Sequence, residues 1–321
     1  MPPVPAAVLG ALALVLVGCT ASEEPPRSQP ARPSDNGSPS ASSSPEPTVA
    51  VEPGTDEPDA DALMDTVREL AALGPREATS RQFRRAAQVL EDRLTAVGYE
   101  VTRTSFRVPA GESWGVPVDA GRSFNLVARL PGSSASDAQQ VVVGAHLDTV
   151  PQAPGAEDNA SGVAVVLELA HLAEQHGTRA PVTFVLFGAE EPRGPGDDEH
   201  HFGSQHYVGR IERGAETAPA AMVSLDRVGA PGRVPVCTGG LSPRRVVRGL
   251  LDVADRLGVP TRACENRTSD HWPFEKAGET VARLGGNEYA AYHSQRDLPR
   301  VVSPRQLDRV ARVMWEWLRA G

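Results

Sequence analysis

The chain is short of several features, and each shortage removes a class of function. Its 321 residues carry a net charge of −9 and contain no run of Lys or Arg. Proteins that grip nucleic acid concentrate cationic side chains on one face to neutralise phosphates, so the reading is of a protein with no nucleic-acid partner. No Gly-x-Ser-x-Gly stands at the end of a strand-like run, which removes the nucleophile elbow of a serine hydrolase. Cysteines number three, at positions 19, 237 and 264, and no third or fourth lies near enough to another pair to build a structural thiolate zinc site. The apolar run from Val4 to Val17 is shorter than the roughly 20 residues of a comfortable membrane span. There is no internal repeat.

What is present sorts into three stretches. Val4 to Val17 has the length of a signal-peptide core and ends in Leu16-Val17-Gly18-Cys19. That tetrapeptide resembles the lipobox of bacterial lipoproteins, in which the Cys becomes the new N-terminus and carries the lipid. Met1 to Ala7 holds no Lys or Arg, a departure from the usual signal pattern. Thr20 to Pro58 is rich in Ser, Pro, Glu and Asp and has no Leu, Ile or aromatic residue. Such a segment cannot bury enough apolar area to offset its ordering entropy, so it reads as a disordered tether. The expected organisation is therefore a signal peptide at 1–19, a tether at 20–58 and one globular domain at 59–321. The protein is expected outside the cell, held at the outer face of the membrane by lipid on Cys19. In an oxidising compartment Cys237 and Cys264 could join; the alternative is two separately buried thiols.

The apolar content of 40% suffices for a substantial core. Leu63, Val67 and Leu70 share a helical face that stops at Gly74; Phe83, Ala87, Leu90, Leu94 and Val97 share a second that stops at Gly98. Strand-like runs follow at Tyr99–Val108, Ser123–Leu130, Gln140–Ala145, Val182–Phe187 and Ala221–Leu225, with a helix from Ser161 to about Glu174 between two of them. Val246, Leu250, Val253 and Leu257 define a helix ending at Gly258; Leu307, Val310, Met314 and Trp317 define the last one. This alternation, with the central strands apolar throughout, indicates an α/β domain whose sheet is covered on both faces.

Three of the most apolar strands run directly into metal-binding residue types. Val141 to Ala145 leads into His146 and Asp148, Phe184 to Ala189 into Glu190 and Glu191, and Met222 to Leu225 into Asp226. Ligand crevices in open α/β sheets lie outside the carboxyl ends of the strands, so these residues should converge. Singly, each has a plain structural reading as a turn, a helix start or a cap. Together, Asp158, Glu190, Glu191 and Asp226 in one buried crevice would repel one another without cations.

The strings GAHLDTV, EDNASG, FGAEE, SLDRVG, SDHWPF and YHSQRD, in this order, resemble the M28 family of zinc peptidases, as does the ALGPR near the start of the domain. The resemblance covers about Asp59 to the C-terminus. It implies a three-layer α/β/α fold around a mixed, mostly parallel sheet, and the activity of an aminopeptidase acting on peptides. It further implies two zinc ions about 3.5–4 Å apart, bridged by Asp158. His146 and Asp226 would complete one site, Glu191 and His293 the other. Asp148 would accept the proton of the His146 ring nitrogen that faces away from metal. Glu190 would be the general base, and Tyr292 would donate to the oxyanion. A cis peptide bond is implied at Asp158–Asn159, and Gly162 would allow close packing of the next helix.

Within the same fold, carboxypeptidase, dipeptidase or single-zinc glutaminyl-cyclase chemistry are the alternatives, and an inactive surface binding protein is a third reading. Asp270 and His271 fit a supporting or pocket role, or a cap, and Phe274 a pocket wall or core packing. Arg227 could meet a substrate carboxylate or pair with a neighbouring acid. The stretch Asp197 to His201 reads as a solvated loop at the mouth of the crevice.

Overall fold

Asp59 starts the first helix by accepting hydrogen bonds from the backbone N–H groups of Asp61 and Ala62 at 2.8 and 3.2 Å, the usual work of an N-cap carboxylate. The helix, α1, spans Ala60–Ala72 and buries Leu63, Val67 and Leu70 on one face. Ser80 caps α2 (Arg81–Val97) in the same way, and Gly98 ends it in the left-handed conformation at φ 107°. The computed structural model describes residues 56–132 and 140–320. The expected signal peptide and lipobox, Cys19 included, and nearly all of the expected tether lie outside the described residues.

Strands β1 (Glu100–Val108) and β4 (Gly121–Arg129) flank a small hairpin, β2 (Gly111–Ser113) and β3 (Val116–Val118). Then come β5 (Val141–His146), α3 (Ser161–His176), β6 (Val182–Phe187), α4 (Phe202–Glu212), β7 (Ala221–Leu225), β8 (Val234–Thr238), α5 (Arg245–Arg256), β9 (Thr261–Glu265), α6 (His271–Lys276), β10 (Val281–Leu284) and α7 (Pro304–Ala320). Eight strands form one sheet in the order β1-β4-β6-β5-β7-β10-β8-β9. Its centre, β6-β5-β7-β10, is parallel. The β1–β4, β4–β6 and β10–β8 pairs are antiparallel. The sheet is therefore mixed with a parallel core, as expected for a three-layer α/β/α protein.

Both faces are covered, and the alternation of side chains along each strand shows how. Val143 joins the larger apolar cluster with α1, α2, α3, α5 and α7. Its neighbour Val142 joins a second cluster with Tyr207 of α4 and Phe274 of α6. A residue pointing to either face is thus buried, which is why the central strands read as unbroken apolar runs. Cys237 and Cys264 face each other across the parallel β8–β9 pair, with Cα atoms 4.5 Å apart, and form a disulfide. The open alternative resolves to the bridge.

Candidate metal centre and active site

His146 closes β5 and Asp226 directly follows β7, while Glu190 and Glu191 stand just past β6. These three strands are adjacent and parallel, so their carboxyl ends deliver the side chains to one crevice. Asp158 comes from the turn Ala156–Ala160 that leads into α3, and the backbone of this turn leaves helical geometry at Asp158 (φ −111°, ψ 86°) and Asn159 (φ −136°, ψ 41°). His293 comes from the segment before α7. Five of these residues are buried, as is Asp148, and His293 is partly buried with its side chain 7% exposed.

The Asp158 carboxylate lies between two imidazoles. Its Oδ1 is 3.2 Å from His146 Nε2 and its Oδ2 is 3.0 Å from His293 Nε2. Asp226 Oδ1 lies 3.9 Å from His146 Nε2, and Glu191 Oε1 lies 3.5 Å from His293 Nε2. The groups His146–Asp158–Asp226 and Asp158–Glu191–His293 each bring donor atoms within 4.8 Å of one another, as does His146–Glu190–Glu191. Two donors held tetrahedrally by one zinc at 2.0–2.1 Å sit roughly 3.3 Å apart, so the separations fit that ion. Asp226 Oδ1 is buried with no hydrogen-bond partner among the described residues. Burial, together with nearby carboxylates, pushes Glu190 up to about 7 and Glu191 up to about 8. Crowded buried acids of this kind are relieved by cations.

The supports of these side chains are built into the backbone. Asp297, fully buried, accepts hydrogen bonds from the N–H of Glu157 at 2.9 Å, the N–H of Asp158 at 3.1 Å and the Tyr289 hydroxyl at 3.0 Å. The amide of Asn159 donates to the Leu225 carbonyl at 2.8 Å and accepts from the N–H of Gly162 and Arg227 at 3.0 and 3.2 Å. It thereby ties the Asp158 turn to the end of β7. The Asp158–Asn159 peptide bond is cis, as the resemblance implied. A Cβ on Gly162 would stand 2.3 Å from the Leu225 carbonyl oxygen, so the close approach needs glycine.

Asp148 departs in part from expectation. The His146 Nδ1 faces its main-chain carbonyl at 3.1 Å, whereas its carboxylate Oδ1 is 3.9 Å away. That carboxylate accepts the backbone N–H groups of Glu190 and Glu191 at 3.0 and 3.2 Å. It orients the two glutamates as well as facing the histidine. Burial raises its carboxyl to about 6.

The Asp197–His201 stretch needs correction. Asp197 and Asp198 are exposed and pair with Lys276, but His201 is buried with its Nε2 3.2 Å from Glu190 Oε1. Burial pushes His201 down to about 4, leaving it neutral. Phe274 packs in the core against Phe187 and Tyr207, with ring centroids 6.2 and 5.5 Å away, and is not a pocket wall. His271 bonds to the Asn266 carbonyl at 2.8 Å. Asp270 is fully buried, and burial and then Glu190 hold its carboxyl well above its ordinary value.

The outer wall is aromatic. Tyr292 stacks on His293 at a centroid distance of 3.6 Å, and the Arg227 guanidinium lies 4.4 Å from the centre of the Tyr292 ring. Trp114, exposed at the tip of the β2–β3 hairpin, brings its ring 4.3 Å from that of His293. Trp114 was missed in the sequence, because its hairpin lies between ALGPR and GAHLDTV, outside every motif. Arg193, buried just after Glu191, holds this region by donating to the Pro109 and Asp119 carbonyls at 2.8 and 2.7 Å. Five non-glycine residues have left-handed backbone among the described residues: Trp114, Ala189, His201, Arg227 and His293. All five border this cluster, the distribution expected where backbone strain is spent on placing functional groups.

The sequence match accords with this geometry: the model of peptidase family M28 matches residues 125–318. The chain belongs to peptidase family M28. It is 32% identical over 143 residues to aminopeptidase YwaD of Bacillus subtilis, a match covering 43% of this chain and 30% of that protein. It is 36% identical over 111 residues to the probable lipoprotein aminopeptidase LpqL of Mycobacterium tuberculosis, covering 34% and 20%. The matched part thus spans less than a third of either relative. Among solved structures, BSAP, a zinc aminopeptidase from Bacillus subtilis, superposes with a TM-score of 0.68 at 18% identity, covering 81% of this chain and 95% of that one. Porphyromonas gingivalis glutaminyl cyclase gives 0.69 at 25% identity, covering 81% and 98%.

Proposed function

We propose that this M28 protein is a two-zinc aminopeptidase that removes N-terminal residues from peptides. The observation that supports it most is the Asp158 carboxylate, with one oxygen toward His146 and the other toward His293. His146, Asp158 and Asp226 would hold one zinc; Asp158, Glu191 and His293 would hold the other. Zinc bound there would lower the pKa of a coordinated water and polarise the scissile carbonyl.

The chain's own groups supply the rest. Glu190 would take the proton of the attacking water and pass it to the departing amine. His201 and the backbone contact to Asp148 would keep that carboxylate in place. Burial, then Asp158, raise the Tyr292 phenol above its ordinary value, so it stays protonated and able to donate to the tetrahedral oxyanion. Trp114 would shield the His293 side of the crevice from water.

The test is release of fluorophore from a panel of aminoacyl conjugates, run beside zinc analysis of the same sample. Two zinc ions per chain and chelator-sensitive release are expected. The likeness to glutaminyl cyclases supports a second reading. One zinc per chain, with cyclisation of N-terminal glutaminyl peptides and no aminoacyl release, would establish it. We also propose that the domain is exported and anchored through lipid on Cys19, a reading that the probable lipoprotein LpqL supports. Cys19→Ala should then shift the protein from the membrane fraction to the medium.

A further inference from the structure

A cavity of about 490 Å³ opens beside the cluster, lined by Arg227, Asn266, Gly286, Glu288, Tyr289 and Tyr292. Two of these residues adjoin site residues directly, Arg227 after Asp226 and Tyr292 before His293. The Arg227 backbone is held in a left-handed conformation at φ 56° by its N–H bond to Asn159. Its side chain is only 13% exposed. One face of the guanidinium covers the Tyr292 ring. Its Nε approaches Asp226 Oδ1 at 3.5 Å, and among the described residues this is its sole ion pair.

Balancing Asp226 does not account for this arginine. Arg283, itself buried, already faces the other oxygen of that carboxylate at 3.0 Å. Arg227 therefore brings a largely desolvated cation, with planar N–H donors to spare, to the wall of a cavity next to the reacting centre. Such a group repels an α-amine and matches a carboxylate by charge and by its two-pronged geometry. Glu288, the one acid in the lining, is solvent-exposed, where water and salt screen it.

We infer that Arg227 binds the free α-carboxylate of dipeptide substrates, so that the protein acts on dipeptides in preference to longer chains. The inference rests on the aminopeptidase reading and names its substrate class. In an extended dipeptide the carboxylate lies about one residue, roughly 3.5 Å, past the scissile carbonyl, within reach of a group adjoining a metal-site residue. The reaction remains hydrolysis: a C–O bond forms to water, the C–N bond breaks, and the amine leaves with the proton.

The experiment compares a dipeptide with its C-terminal amide, and both with peptides of increasing length, using the N-terminal residue best released from aminoacyl fluorophores. Wild type should favour the free acid by about tenfold or more in kcat/KM, the usual worth of a hydrogen bond to a charged group. Arg227→Met should bring the ratio close to one, with the change in KM for the acid, and Arg227→Lys should restore part of it. Calorimetry on a zinc-loaded Glu190→Gln background gives a reading independent of turnover: dipeptide acid should bind more tightly than amide, and Arg227→Met should remove the difference at equal zinc content. Equal handling of acid and amide by wild type, with aminoacyl release intact, overturns the carboxylate subsite and leaves the aminopeptidase reading standing. Absence of all aminoacyl and peptide hydrolysis overturns both.

Discussion

His201 Nε2 lies 3.2 Å from Glu190 Oε1 in a buried setting, so the proposed base has a neutral imidazole at its side. Burial holds that imidazole down to about 4, so it stands neutral beside the carboxylate, and a proton on Nε2 would let it position Glu190. His201 has φ 57°, a conformation that Asn tolerates better than most residues, which makes His201→Asn the suitable probe. The shorter amide should not reach Glu190. We expect turnover to fall by about tenfold to a hundredfold, the range for removing a residue that orients an active group, with zinc content unchanged. A variant with wild-type turnover would leave His201 with a packing role alone.

Arg76 closes the ALGPR string and is fully buried. Its guanidinium donates to the carbonyls of Leu147, Leu70, Pro154 and Gly155 at 3.1, 3.1, 2.6 and 3.0 Å. It pins both ends of the loop between His146 and Asp158, and so sets the distance between the two. Burial lowers it only to about 10, so it stays charged at neutral pH. Arg76→Met should destabilise the fold by about 3–5 kcal/mol, read as a lower urea midpoint, since four carbonyls lose a charged donor, each such bond being worth about 1.5–3 kcal/mol before relaxation. Arg76→Lys, with one ammonium in place of the fork, should recover less than half. A shift below about 1 kcal/mol, the scale of one ordinary hydrogen bond, would show that the loop is held by something else.

How much of this was legible follows from where each signal lies. Val182–Phe187 and Ala221–Leu225 appear with the expected bounds because both are unbroken apolar runs from the buried centre of the sheet. Strand β9 was missed: its burial pattern alternates weakly at a sheet edge, and little apolar content marks it. Helix α6 is six residues long and contains Pro273, too short to show a helical period. At the site, the residues expected to gather do so, because strand ends and motif order both point to them. His201 was hidden because it sits in a polar stretch whose members Asp197 and Asp198 are exposed, and nothing in that stretch marks it as buried beside Glu190. Asp297 was within reach, being the last residue of YHSQRD, but its work is done on backbone N–H groups 139 and 140 residues away.

Asp297 therefore yields its own prediction. Asp297→Asn keeps the size of the side chain but replaces one acceptor oxygen with a donor that opposes the N–H of Glu157 or Asp158. The turn carrying Asp158 should shift, and Asp158 belongs to both proposed zinc sites. Zinc affinity should fall by about tenfold to a hundredfold for the pair, measured by competition with a chromophoric chelator. An unchanged affinity for both ions would mean that the turn holds its shape without this carboxylate.

The roles proposed for the adjacent glutamates, zinc ligand for Glu191 and base for Glu190, make different predictions. Glu191 Oε1 faces His293 Nε2 at 3.5 Å and belongs with Asp158 and His293, whereas Glu190 Oε1 faces His201. Glu191→Gln should weaken one coordination bond and lower the zinc content of the purified protein. Glu190→Gln preserves size and hydrogen bonding but cannot take a proton from water. Its zinc content should stay near wild type while turnover falls by about 10²–10⁴-fold, the usual contribution of a general base. A passive role beside the metals predicts a loss of no more than about a hundredfold, and mainly through metal affinity. Zinc stoichiometry and turnover measured on the same preparations decide between the two. If Glu190→Gln kept most of its activity with both metals bound, the assignment of the base to Glu190 would have to be given up, and proton transfer sought from Asp148, His201 or Asp270.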